Sequence, residues 1–144
     1  MYTPVPPLEA AIIGSGSQEF WNVFARFRVQ GTELEEFAPT WNWSTFILGG
    51  FWYIYRKVYV WGGVILQLIP TAIPSIGSPI AVVVGIGNVV VANYLYYLYV
   101  RDKAKKIKAA VASDEKALRI ARYMGGVNIW AIWVAAPILL FFFV

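Results

Sequence analysis

The 144-residue chain contains no cysteine and no histidine. Without cysteine there is no disulfide framework, thiolate nucleophile or thiolate-held cluster. Without histidine the commonest metal ligand and the commonest general acid–base are missing, and no Ser-His-Asp set can form. Charge is scarce as well: 14% of residues are charged, against about 25% in an average soluble domain. The eight acids, at positions 9, 19, 33, 35, 36, 102, 114 and 115, all lie outside the long apolar stretches. An ion or proton path through lipid normally needs an ionisable group within it, so a self-sufficient pump is not expected. Gly14-Ser15-Gly16 and Gly85-Ile86-Gly87 are too short to cradle phosphates, and no Gly-rich loop ends in Lys-Ser/Thr. No catalytic residue, metal or cofactor is expected, and nothing specific to nucleic acid accompanies the basic charge.

What the chain does have is apolar and aromatic. Hydrophobic residues make up 59% of it and aromatics 17%, including seven Trp and nine Tyr. Forty-three consecutive residues, 58–100, carry no charge, and PTAIPSIGSP at 70–79 interrupts them with three Pro and one Gly. No single helix runs through such a cluster, so two spans are expected, 58–74 and 79–100, joined by a tight turn. Residues 101–122 hold eight of the twelve basic residues against three acids. Ser113 with Asp114 and Glu115 is a helix start. The second helix is therefore expected to cover 79–112 and a third 114–144, the two making a basic stalk near 101–122. Residues 123–144 carry no charge and match the length of about 20 residues that crosses a bilayer.

Upstream, residues 1–16 read as an extended arm punctuated by Pro and Gly. They show no basic, apolar leader, so entry through an internal span is expected. In 17–30, Phe20, Val23, Phe24 and Phe27 share one face at helical spacing, with Ser17 as the cap. This amphipathic helix packs on the rest of the protein or lies on lipid headgroups. Residues 41–57 form a short interfacial or re-entrant helix, because Pro39 starts it and Gly49-Gly50 weakens its centre. The expected fold is all-α and integral to the membrane. Residues 1–40 form the N-terminal arm and amphipathic helix, 41–57 the short helix, and 58–144 a three-helix bundle.

Site residues follow from composition and position. Trp41, Trp43, Trp52, Tyr55, Arg56, Lys57 and Tyr59 are expected to anchor the interface, with Tyr94, Tyr96, Tyr97 and Tyr99 in the same aromatic belt. Gly63 and Gln67 on the first span, Gly85, Asn88, Ala92 and Asn93 on the second, and Asn128, Ala131 and Ala135 on the third are expected at helix contacts. Gln67 and Asn88 are expected within reach of each other or of backbone. Lys103, Lys105, Lys106 and Lys108 are expected to meet anionic lipid.

The order Trp41-Asn42-Trp43, Phe46, Gly49, Phe51-Trp52, Tyr55-Arg56-Lys57, Tyr59 resembles the signature of a family of small bacterial inner-membrane proteins, a domain of unknown function numbered 2628. A second stretch, Gly87, Ala92-Asn93, Tyr96-Tyr97, then Lys105-Lys106-Ile107, is similar to that family's later motif, and the likeness covers roughly residues 20–108. Where the family usually has Pro after the first Gly and Met before the Tyr, this chain has Gly50 and Val58. The resemblance implies a bacterial inner membrane and carries over no catalytic residue.

By the excess of Lys and Arg, the N-terminus and basic stalk are expected on the cytoplasmic side and the C-terminus outside. The expected function is a non-catalytic accessory or structural subunit of a larger bacterial membrane complex, energy-transducing ones included, docking laterally through its transmembrane helices. Its partners would be membrane lipids and other membrane subunits. The alternative is a small homo-oligomeric pore or lipid-organising protein.

Overall fold

The computed structural model describes residues 4–28, 35–58 and 77–143. Seven α-helices occur among them: α1 (Pro7–Ile13), α2 (Ser17–Phe24), α3 (Trp43–Leu48), α4 (Phe51–Tyr55), α5 (Gly77–Ala110), α6 (Asp114–Met124) and α7 (Trp130–Phe143). No strand forms among the described residues; Arg28 and Glu35 meet in an isolated antiparallel bridge. The all-α expectation therefore holds for what is described. One described helix, through Val82–Ala110, is long and apolar enough to cross a membrane, not three. The expected first span 58–74 and its turn, with Tyr59, Gly63 and Gln67, lie outside the described residues, apart from Val58 and Gly77–Pro79.

The third expected span is divided. The Gly125 amide closes α6 by donating to Ala121 O at 2.8 Å, and Gly126 takes φ 75 before α7 starts at Trp130. At 14 residues and about 1.5 Å rise each, α7 is about 21 Å long, against about 30 Å of hydrocarbon. Periodicity reads through the break because Tyr123–Val127 is uncharged like its neighbours.

The chain folds as two compact units, Met1–Thr40 with Asn93–Val127, and Trp41–Ala92 with Asn128–Val144. All eight acids and ten of the twelve basic residues fall in the first, the charged unit. The second, the apolar unit, has Arg56 and Lys57 as its only charged side chains. Helix α5 contributes residues to both units.

In the charged unit the N-terminal segment is not an extended arm throughout. Pro7 sits at the start of α1, where its missing N–H costs no helical bond and its fixed φ favours the helix. Leu8, Ile12 and Ile13 are buried, and α1 packs on α6. The crossing is close: Gly126 N–H donates to Ile12 O at 2.9 Å, and a Cβ at Gly125 would stand 2.6 Å from Ile12 Cα.

Helix α2 continues as a 3₁₀ turn, Ala25–Phe27. Its apolar face lies on α5. Phe20 meets Tyr96 at 5.0 Å between ring centroids, Phe24 meets Tyr97 at 5.3 Å, and Phe27 meets Tyr94 at 5.2 Å. Most of these pairs are edge-to-face, the arrangement the ring quadrupoles favour. Glu19, Asn22, Arg26 and Arg28 stay exposed on the other side. Of the two sequence expectations for this helix, the structure has the packed one.

Candidate membrane interface

In the apolar unit, α3 is a six-residue helix built to display aromatics. Asn42 caps it, its side-chain oxygen accepting from Thr45 N–H at 2.9 Å. Gly49 ends it at φ 54, a backbone region that glycine enters without steric cost. Between cap and stop, Thr45 faces inward and is buried, while Trp43 is 68%, Phe46 57% and Ile47 65% exposed. Trp41 joins them, its ring 5.6 Å from Trp43 and 5.7 Å from Phe46. The three rings pack on one another, so no gap for a cation opens between them. They form an uncovered aromatic shelf.

Beyond Gly49 the direction reverses. Trp52 and Tyr53 of α4 are fully buried, so Trp52 is a core residue and not an interface anchor. Tyr55 and Arg56 are half-buried, the guanidinium 5.5 Å from the Tyr55 ring centroid. Lys57 takes φ 56, and Val58 N–H then donates to Tyr53 O at 2.8 Å. Lys57 thus turns the chain out of α4 in the left-handed conformation that often ends helices.

Two further stretches of the apolar unit are uncovered. On α5, Ile80, Val82, Val83 and Ile86 are exposed, and no described residue lies within 4 Å of a Cβ added to Gly85 or Gly87. On α7, Trp130 is 77% and Trp133 70% exposed, with Val134 and Leu140 also open; Ala131 is buried. A monomeric soluble protein rarely exposes contiguous apolar surface beyond a few hundred Å².

The expected packing residues divide. Asn88 accepts a hydrogen bond from Tyr53 OH at 2.6 Å, while its buried Nδ2 has no partner among the described residues. Its observed partner is therefore on α4; Gln67 lies outside the described residues. Ala92 is buried, and Asn93 donates to Thr40 Oγ1 at 3.1 Å. Asn128 contributes its backbone, its N–H donating to Tyr55 O at 2.7 Å, which ties the start of α7 to α4. No described residue lies within 4 Å of a Cβ added at Gly85, so no described neighbour uses its smallness. The side chain of Ala135 is outside the described residues.

Tyr96 and Tyr97 are buried under α2 and do not form a lipid-facing belt. Tyr97 OH donates to Glu35 Oε1 at 2.8 Å, and Arg101 pairs with the same carboxylate. Arg28 stands 4.0 Å over the Trp21 ring. These bonds join the segment after α2 to α5 and went unseen in the sequence, where Glu35 reads as one acid in a linker. Lys103 is engaged too, donating to Tyr99 OH and to Met124 O. Lys108 reaches Glu9 at 3.8 Å, and Lys105 and Lys106 are exposed.

No group of metal-ligating side chains occurs among the described residues. No family model matches the chain, and neither a curated protein nor a solved structure matches it.

Proposed function

We propose that this chain is a non-catalytic accessory or structural subunit of a larger membrane protein complex, held in the bilayer by its apolar unit. One observation carries the reading. A unit with two charged side chains leaves Trp41, Trp43, Phe46, Trp130, Trp133 and the start of α5 uncovered. At about 25 cal/mol per Å² of apolar surface removed from water, lipid or a membrane partner is the environment that stabilises such a surface. Helix α5 crosses the bilayer, α7 enters it, and the aromatic shelf sits at the headgroup boundary, where amphipathic rings collect.

The resemblance to the small inner-membrane family supports a bacterial inner membrane. The excess of Lys and Arg in 101–122 puts that block on the cytoplasmic side. In this reading α7 carries the C-terminus towards the outer side. The chain has no native cysteine, so single cysteines placed at either end report their side cleanly to an impermeant thiol reagent. Labelling of both ends from the cytoplasmic side would overturn the topology.

The accessory role is tested by purification in mild detergent through a tag on this chain. The expected outcome is recovery within a larger assembly; a lone monomer under every condition overturns it. A second reading, a homo-oligomer, draws on the open surface over Gly85 and Gly87. Small residues let transmembrane backbones approach, and recovery as a uniform oligomer of this chain alone would favour it.

A further inference from the structure

The break between α6 and α7 is held by partners from elsewhere in the chain. In an unbroken helix Gly126 N–H would donate to Arg122 O, and Asn128 N–H to Met124 O. The bonds made are different ones. Gly126 N–H donates to Ile12 O of α1 at 2.9 Å, and Asn128 N–H to Tyr55 O of α4 at 2.7 Å. Met124 O, the helical partner that Asn128 leaves, accepts from Lys103 Nζ at 3.4 Å. Ile12 and Lys103 belong to the charged unit with Gly126, and Tyr55 to the apolar unit with Asn128. A backbone group out of water is costly unless it is paired, so these three partners stabilise an open helix at this point.

The local sequence does not demand the break. No proline and no charged residue lies in 125–129. The two glycines lower helix propensity without forbidding a helix, and glycine is common in membrane helices. Helix α1, by contrast, lies directly against the break. A Cβ at Gly125 would stand 2.6 Å from Ile12 Cα, and one at Gly14 would stand 3.0 Å from Gly126 Cα. Helix α1 has 7 residues and leaves through Gly14-Ser15-Gly16, with Gly14 at φ 70 and Gly16 at φ 75. Its buried seat is Leu8, Ile12 and Ile13, with Glu9 3.8 Å from Lys108.

We propose that α1 is a strap with two states. Seated, it holds 125–129 open. Lifted on its glycine joint, it releases Gly126, and 114–143 closes into one helix. Asn128 N–H then exchanges Tyr55 O for Met124 O, and Lys103 keeps Tyr99 OH. At about 1.5 Å per residue the joined helix is about 45 Å long, where α7 alone is about 21 Å. The strap is independent of the membrane reading. Its consequence rests on that reading, because only the joined helix exceeds about 30 Å of hydrocarbon.

The test measures the distance across the break in the full chain. No native cysteine is present, so spin labels at Lys116→Cys and Trp133→Cys, both exposed, are read by pulsed electron paramagnetic resonance. In one helix these positions stand about 26 Å apart. In detergent the wild type is expected to show that distance as a minor component, under about 10%. Ile12→Glu with Ile13→Glu puts unpaired charge into the seat, lifts α1 and makes about 26 Å the main distance. Gly125→Ala with Gly126→Ala reaches the same end from the other side, through the Cβ that meets Ile12 and the higher helix propensity of Ala. The glycine pair carries the test if circular dichroism shows the isoleucine pair unfolded. Arg119→Gln, on the exposed face of α6, is expected to keep the wild-type distribution. Wild-type distances in both paired variants overturn the proposal, as does an equal shift in Arg119→Gln or a wild type already joined. Repetition in phosphatidylcholine bilayers separates the two readings. A helix joined in detergent, in a chain that never inserts, sinks the membrane reading and leaves the strap standing.

Discussion

The charged and apolar units use the same residue types to opposite ends. In the charged unit, Phe24 is 1% exposed and touches Phe20, Trp21, Phe27, Tyr96 and Tyr97. In the apolar unit, Trp43 is 68% exposed and touches the two neighbours that share its shelf. Glycines divide the same way: Gly125 lies against the backbone of α1, while Gly85 meets none of the described residues. One unit has satisfied its aromatic surface within the chain. The other leaves that to its surroundings.

This contrast can be broken by substitution in detergent-solubilised protein. Phe24→Ala should cost the most, about 3–5 kcal/mol, read as a lower denaturation midpoint, while Trp43→Ala should move the same midpoint by less than about 0.5 kcal/mol. Comparable losses at the two sites would mean that the shelf is a packed core. Gly125→Ala forces a Cβ onto the Ile12 backbone and should destabilise by about 1–3 kcal/mol. Gly85→Ala meets no described residue, and by restricting the unfolded chain it should stabilise by up to about 1 kcal/mol; a loss there would reveal a partner helix at that face. Tyr53→Phe should cost about 0.6–2 kcal/mol, the size of a hydrogen bond between helices in lipid. No change would show that Asn88 finds another donor.

Legibility follows the same division. The face of α2 was readable because Phe20, Phe24 and Phe27 recur at helical spacing. What covers it was not, since a pattern of apolar residues reads the same against lipid as against Tyr94, Tyr96 and Tyr97. The exposure of Trp41 and Trp43 is readable from their place before a short helix. Trp52 was not separable from them, because Gly49 at φ 54 turns the chain between α3 and α4, and one-dimensional spacing does not carry that turn. The break at Gly125-Gly126 was missed for a related reason: its cause is contact with Ile12, more than a hundred residues earlier. Lys103 and Lys108 looked free in a basic run until Met124 and Glu9 came into reach. The all-α class is evident from composition and periodicity, and it depends on no such long-range contact.

The partnership of α2 with α5 also bears on how the chain is made. About 70 residues separate Phe24 from Tyr97, and synthesis proceeds at about 5–20 residues per second. For several seconds the nascent chain therefore presents Phe20, Phe24 and Phe27 with no native surface to meet. Whatever receives the emerging polypeptide must shield those rings until α5 has left the ribosome.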